Sequence, residues 1–169
     1  PATTDPETRA IEVGVKFRTS VNGFITGIRY YKAANNTGTH VGTLWSRTGT
    51  MLARATFIGE TASGWQQVLF SSPVAVTAGT TYVASYHTNT GRYSINTNYF
   101  TANTGVTSFV QALRSGLDGA NGVYRYSANS VFPNSGFRSS NYWVDVLFST
   151  STAPDQTPPT VTANSPLNG

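Results

Sequence analysis

The sequence contains no cysteine, few charged residues and no long hydrophobic run, and each absence excludes a class of protein. Without cysteine among its 169 residues, the chain cannot form disulfides, use a thiolate nucleophile or bind zinc through sulfur. No stretch approaches the roughly 18 consecutive apolar residues of a transmembrane helix, so we expect no membrane span. Charged residues make up 11% of the chain and aromatic residues 12%, a balance typical of a secreted β-sandwich rather than of a cytosolic enzyme.

The few charges are predominantly basic. Eleven lysines and arginines stand against seven aspartates and glutamates, for a formal net charge of +4. Guanidinium groups match the carboxylate and sulfate groups of anionic polymers, so an anionic polysaccharide is one candidate partner. The alternative is that the bases are scattered over several strands for solubility. With no run of Lys or Arg and no helix–turn–helix pattern, we expect no nucleic-acid partner.

Alternating apolar residues predict β-structure along most of the chain. Residues 27–70 read as four successive short strands separated by turn signals rich in Asn, Gly and Ser. In the first long strand, Val13, Val15 and Phe17 are predicted to face the core, while Glu12 faces water. In the next strand, Phe24, Ile28 and Tyr30 are predicted to share one face. Nine or ten such strands predict an all-β fold, a two-sheet antiparallel β-sandwich of the jelly-roll type.

The alternation weakens between residues 88 and 137, where Asn, Gly, Ser and aromatic residues accumulate. We expect long late loops there, with one short helical turn within residues 108–117. Long loops that carry many aromatic residues are typical of binding sites rather than of disorder.

The composition also predicts the domain boundaries. Residues 1–10 are polar and contain proline, and they read as an N-terminal tail or linker. Residues 11–149 form the predicted β-sandwich module. Residues 150–169 are rich in Pro and Thr, and they read as a linker followed by the truncated start of an immunoglobulin-like domain. We therefore expect linked domains in the same natural chain.

Four segments share a pattern with a known protein family: YYKAANNTGTHVGTLWS (30–46), GTMLARATFIGETASGWQQVLFSSPVAVTAGTTYVASYH (49–87), GVYRYS (122–127) and NYWVDVLF (141–148). The chain resembles a bacterial family known only as a domain of unknown function, and the resemblance covers roughly residues 11–149. That family occurs in large secreted multidomain proteins beside immunoglobulin-like and carbohydrate-active modules. The resemblance therefore implies a secreted or cell-surface location and a role at polysaccharides.

The sequence offers little for catalysis. Glycoside hydrolysis needs two carboxyl groups at a defined separation, and the strand pattern does not bring two of the four acids of the module together. His40 or His87 could join Asp145 and a serine, but the chain has no Gly-x-Ser-x-Gly motif. We therefore expect that the module is not an enzyme.

Aromatic side chains that can cover the apolar face of a sugar ring are the best candidates for a binding site. Trp143 is the leading candidate, because the parity of Val144 and Val146 turns it away from the core. Trp45 and Trp65 lie within predicted strands and are interpreted as structural. The candidate ligand-binding residues form two groups. One group is predicted to share the sheet face opposite the core with Asp145, and it consists of Arg29, Tyr31, His87 and Trp143. The other is the loop group, which consists of His40, Arg92, Tyr93, Tyr99, Tyr124 and Arg125.

Calcium is the candidate cofactor, since sugar-binding sandwiches often hold it, with Asp118 and Asp145 as weak candidate ligands. No EF-hand or zinc motif is present. These observations predict a non-catalytic, monomeric carbohydrate-binding module that anchors a linked enzyme to polysaccharide. The alternative is a structural or adhesion spacer without a glycan site.

Overall fold

The structure, a computed structural model, describes residues 3–102 and 107–152, and its regular secondary structure is almost entirely antiparallel strand. A short 3₁₀ helix, Tyr99–Thr101, lies among them. Within the described residues the strands are β1 (Thr3–Thr4), β2 (Ile11–Thr19), β3 (Gly23–Lys32), β4 (His40–Ser46), β5 (Met51–Thr56), β6 (Gly64–Val76), β7 (Tyr82–Thr88), β8 (Ser94–Ile95), β9 (Val110–Ala112), β10 (Gly122–Tyr126), β11 (Ser135–Gly136) and β12 (Val144–Ser149).

Two sheets face each other. The large sheet has the strand order β11-β10-β2-β7-β4-β5, with β9 also paired to β2, and the small sheet has the order β12-β3-β6. The chain changes sheet between β2 and β3, β3 and β4, β5 and β6, and β6 and β7. This repeated crossing is the winding expected of a jelly roll, and it confirms the predicted all-β sandwich.

The core lies between the sheets and follows the predicted alternation. Val13, Val15 and Phe17 of β2 are buried, and so are Val144 and Val146 of β12. The other fully buried core side chains from the central strands are Ile25, Ile28, Tyr30, Leu44, Ala84 and Tyr86. Burial of these apolar surfaces supplies most of the driving force for the fold.

A β-bulge in β3 changes which side chains face the core. The pairing of β3 with β6 shifts register between Ile25 and Gly27. Because a bulge adds one residue to one strand, both Ile25 and Ile28 are buried, whereas Phe24 is only partly buried. The prediction that Phe24 shares one face with Ile28 and Tyr30 is therefore wrong for Phe24.

Glu12 also departs from its predicted position, because it is fully buried rather than directed to water. The outer face of the large sheet is covered where residues 127–132 cross it, with the Phe132 ring 5.8 Å from that of Trp45. Ser85 Oγ donates a hydrogen bond of 2.5 Å to Glu12 Oε1, and the backbone N–H of Val131 donates one to Oε2. The late loop thus builds a second, small core that includes a carboxyl group.

The N-terminal segment is attached to the sandwich. Strand β1 pairs with β8, the N–H of Asp5 donates to the carbonyl of Tyr93, and the N–H of Arg92 donates to the carbonyl of Glu7. Residues 3–9, assigned to a tail from their composition, therefore contribute to the folded surface.

Residues 108–117 contain strand β9 in place of the expected helical turn. No helix in the described ranges is long and apolar enough to cross a membrane. The predicted Pro/Thr-rich linker and immunoglobulin-like start, from residue 153 onward, lie outside the described residues.

Candidate functional site

The outer face of the small sheet brings several candidate residues together. Arg29 and Tyr31 lie on β3, where Arg29 is opposite Asp145 of β12 and Tyr31 is opposite Trp65 of β6. The N–H of Tyr31 also donates to the carbonyl of Trp143, which directly precedes β12. The antiparallel register therefore places an aromatic row next to an arginine–carboxylate pair.

Trp65 belongs to this row, so its interpretation as a structural residue is wrong. Its side chain is 45% exposed, whereas Trp45 is only 7% exposed and is structural as predicted. The Trp65 ring lies 5.6 Å from that of Tyr31 and 6.4 Å from that of Trp143, measured between ring centroids. The signal was present in the sequence: Phe70 faces the core, and strand parity puts Trp65 on the opposite face.

Trp143 is held in an unusual backbone conformation. Its φ of 55° lies in the left-handed region, which is costly for a residue with a large side chain. Asn141 Oδ1 accepts a hydrogen bond of 2.8 Å from the backbone N–H, and Asn96 Oδ1 accepts one of 2.7 Å from the indole Nε1. These bonds fix the ring immediately before the start of β12, where the side chain is half-buried.

A cleft of about 210 Å³ opens beside these rings at the β12 edge of the sandwich. Trp65, Trp143 and Tyr99 stand at this cleft, and the Tyr99 ring lies 5.9 Å from that of Trp143. The other lining residues are mainly apolar, and they are Val15, Phe17, Phe100, Thr107, Val110, Ala112, Asn141, Val144, Asp145 and Val146. We refer to this cavity as the aromatic cleft.

One ion pair stands at the aromatic cleft. Arg29 Nε and Nη2 donate to Asp145 Oδ2 at 2.9 and 2.5 Å, and the Arg29 guanidinium lies 4.7 Å from the centre of the Trp65 ring. Both side chains are partly exposed. The pair therefore presents hydrogen-bonding groups beside the aromatic rings at little net charge.

His40 lies far from solvent, in a buried polar network between the sheets. Its Nδ1 is 2.8 Å from Glu60 Oε1, and its Nε2 is 2.8 Å from Asn36 Oδ1. Burial lowers the pKa of His40, and the Glu60 carboxylate opposes that shift. Since the side chain is fully buried, the structure gives His40 a structural environment rather than a place at the aromatic cleft.

His87, Arg125 and Arg92 are not at the aromatic cleft either. His87 lies on the large sheet, where its Nε2 is 3.0 Å from the carbonyl oxygen of Ser127, so the predicted grouping of His87 with Trp143 on one face is wrong. Arg125 is exposed opposite Glu12, on the outer face of the large sheet. Arg92 has a left-handed backbone, with φ of 54°, and holds the N-terminal segment.

Tyr93 and Tyr124 line a second cavity of about 220 Å³. Its lining residues are Asp5, Tyr93, Tyr124, Tyr126, Phe137 and Tyr142, and we call it the tyrosine pocket. It shares no lining residue with the aromatic cleft. The candidate aromatic residues therefore divide between two sites.

The two candidate calcium ligands are paired with basic side chains. Asp118 accepts hydrogen bonds from Arg47, whose guanidinium holds the pKa of that carboxyl well below its usual range, and Asp145 accepts from Arg29. Among residues 3–102 and 107–152, no group of three or more histidine or acidic side chains is arranged to hold a metal ion.

Fold and surface together define an all-β sandwich module with an aromatic cleft at one edge. The chain belongs to a family of domains of unknown function, since the family model described as Domain of unknown function (DUF4082) matches residues 1–144. No curated protein sequence matches the chain.

Proposed function

We propose that the protein is a non-catalytic carbohydrate-binding module that binds polysaccharide in the aromatic cleft. The observation that carries the proposal is the convergence of Trp65, Trp143 and Tyr99 beside the Arg29–Asp145 pair. An indole or phenol ring covers the apolar C–H face of a pyranose, while charged groups beside it hydrogen-bond the hydroxyls. The resemblance to domains of secreted bacterial proteins supports a role in anchoring a linked enzyme to its polymer.

The size of the cleft favours a single sugar unit in its interior. Its volume of about 210 Å³ is below the roughly 300–1,000 Å³ of pockets that enclose drug-sized ligands. If stacking removes roughly 50–100 Å² of apolar surface, about 25 cal/mol per Å² gives about 1–2.5 kcal/mol for each ring. Such weak single sites become effective when several modules act on one polymer.

The inclination of the rings favours a flexible chain over a flat crystalline surface. The Trp65 and Trp143 rings are inclined at 66°, and the Tyr99 and Trp143 rings at 63°. A flat polysaccharide surface requires coplanar rings, whereas inclined rings enclose a chain segment or a chain end. Soluble polysaccharide is therefore the proposed ligand.

The charge at the cleft favours a neutral polymer. The Arg29 guanidinium lies 4.7 Å from the centre of the Trp65 ring, and Asp145 already neutralises it. An anionic sugar would have to compete with Asp145 for the guanidinium, at the cost of an unpaired carboxylate. A neutral sugar can accept from Arg29 and donate to Asp145 without separating the pair.

Isothermal titration with a panel of soluble neutral and anionic polysaccharides tests the proposal, in calcium and in chelator. We expect one neutral polymer to bind, and Trp65→Ala to weaken that binding by roughly 5- to 70-fold, the equivalent of one stacked ring. Trp65 is the residue of choice because its exposed side chain contributes little to the core.

Phe137→Ala is the matched control, since Phe137 is also 45% exposed but lines the tyrosine pocket. This variant is expected to bind the polymer as the wild type does. If Phe137→Ala abolishes binding and Trp65→Ala does not, the site assignment is wrong. If no polymer binds the folded protein, the protein is instead a structural or adhesion spacer without a glycan site. Loss of binding in chelator would place a calcium ion at the site.

A further inference from the structure

The tyrosine pocket lies beside β10 of the large sheet, which contributes no lining residue to the aromatic cleft. Tyr124 and Tyr126 of β10 are opposite Val13 and Ile11 of β2. Since Val13 and Ile11 face the core, the two tyrosines lie on the same inner side of the large sheet. The N-terminal segment and the residues before β8 and β12 complete the pocket with Asp5, Tyr93 and Tyr142.

Its walls meet at nearly right angles. The rings of Tyr124 and Tyr126 are 5.7 Å apart and inclined at 75°, and those of Tyr93 and Tyr142 are 5.6 Å apart and inclined at 72°. Because the rings of each pair are inclined and all four line one cavity, ring faces point into it in more than one direction, and a compact rounded group can contact several of them. A flat ring would stack on one wall only. The shape therefore favours a small, nearly spherical ligand group.

The electrostatics of the tyrosine pocket favour a cation. Ring faces carry negative potential from the π-system, and Asp5 is the charged side chain among the lining residues. Burial, together with the Asp5 carboxylate, raises the pKa of Tyr93, and burial raises that of Tyr142, so both phenols remain neutral. Among the described residues, the lining of the pocket therefore carries one acidic side chain and no basic one.

The protein itself already places a cation on one of these rings. The Arg9 guanidinium lies 3.9 Å from the centre of the Tyr126 ring. Glu7 fixes this arrangement, because its carboxylate accepts hydrogen bonds from the Arg9 guanidinium and, at 2.8 Å, from the Tyr126 hydroxyl. Arg9 and Glu7 neutralise each other and are not among the lining residues, so neither cancels the charge of Asp5, whose Oδ1 accepts a hydrogen bond of 2.9 Å from the backbone N–H of Glu7.

We propose that the tyrosine pocket binds a small organic cation of the quaternary-ammonium class, held by ring faces on its sides and by the Asp5 carboxylate. This site is independent of the carbohydrate site. A trimethylammonium group carries its charge on a compact, weakly hydrated surface, and several aromatic faces can therefore replace its water at low cost. The same chemistry can come from a free compound or from a lipid headgroup.

The test compares choline with its uncharged carbon analogue, 3,3-dimethylbutan-1-ol, which has the same shape. Binding is followed by isothermal titration, and vesicles of phosphatidylcholine provide the headgroup form. We expect one of the two cationic probes to bind and the neutral analogue to bind about 10-fold more weakly or not at all, as a desolvated cation–π site predicts. Equal binding of choline and the alcohol would show a merely apolar pocket and overturn the proposal.

Two substitutions of Tyr124 distinguish the contribution of its aromatic ring to binding from that of its hydroxyl group. Tyr124→Phe keeps the aromatic face and is expected to keep choline binding within about threefold, whereas Tyr124→Leu keeps apolar bulk without a π-face and is expected to lose about 10-fold. Asp5→Asn is expected to weaken binding several-fold. Equal affinities of the Leu and Phe variants, or no binding of either cationic probe, would overturn the proposal. Polysaccharide binding and near-ultraviolet circular dichroism serve as folding controls, so failure of the carbohydrate site is a separate result.

Discussion

Glu60→Ala is expected to lower the free energy of unfolding by about 3–5 kcal/mol, because it leaves a buried ammonium without its partner. Glu60 Oε2 accepts a hydrogen bond of 2.6 Å from Lys32 Nζ, and the Glu60 and Lys32 side chains are 11% and 10% exposed. The same carboxylate accepts from the Tyr30 hydroxyl at 3.2 Å and lies 2.8 Å from His40 Nδ1. Alanine removes all three interactions at once.

The network extends from Glu60 to the centre of the large sheet. His40 Nε2 contacts Asn36 Oδ1, Asn36 Nδ2 donates to the Tyr86 hydroxyl at 3.1 Å, and the Thr88 hydroxyl donates to Asn36 Oδ1 at 2.7 Å. Buried donors that lose their acceptor cost free energy comparable to a lost hydrogen bond each. Because His40 contacts both Glu60 and Asn36, removing Glu60 is expected to weaken hydrogen bonds beyond those that Glu60 makes itself.

Urea unfolding of three variants measures this effect. Arg47→Ala removes an ion pair in which the arginine is 63% exposed. Its partner Asp118 is only 7% exposed but keeps Arg18 Nη2 at 3.7 Å, so the substitution should cost about 1 kcal/mol. Adding Lys32→Met to Glu60→Ala should restore part of the lost stability, since it removes the uncompensated charge. A Glu60→Ala variant as stable as Arg47→Ala, or a double variant less stable than the single one, would contradict the argument.

The fold could be predicted from local alternation because the sandwich is built from strands with one buried face. Val13, Val15 and Phe17, or Val144 and Val146, reveal their inward direction by spacing alone. The β-bulge at Ile25 could not be predicted in this way, because it depends on how β3 and β6 pair. Parity therefore failed at Phe24, where pairing between strands decides the register.

The candidate site was predictable only in part, since it depends on which sheet face a late loop covers. Arg29, Tyr31 and Trp143 do lie near one another, as strand parity predicted, and Tyr99, which was assigned to the separate loop group, lies next to Trp143. Trp65 was missed although its parity with Phe70 indicated the outer face, because whether that face of β6 is left open is a tertiary feature. Glu12 is the opposite case. It was predicted to face water, but it is buried because residues 127–132, distant in the sequence, cover it.

The second large prediction concerns Glu12, whose burial is expected to make the folded protein less stable as the pH rises. Burial raises the pKa of Glu12 from 4.5 to about 7, although hydrogen bonds from Ser85, Ser130 and Val131 oppose the shift. Between these values the folded protein binds a proton that the unfolded chain has released, so the free energy of unfolding falls as pH rises from about 4.5 to 7. At about 1.4 kcal/mol per pH unit, the loss is about 3 kcal/mol.

Glu12→Gln isolates this contribution because glutamine has nearly the same shape and does not titrate. The difference in unfolding free energy between the variant and the wild type, measured in urea from pH 4 to pH 8, cancels the effects of the other groups, His40 among them. We expect that difference to move by about 3 kcal/mol in favour of the variant over this range. Ser85 retains its bond from Trp45 Nε1, at 2.7 Å, in both proteins, so the small core is preserved. Parallel stability curves would mean that Glu12 is ionised when buried, held by its three donors, and that removing its charge brings no gain above pH 7.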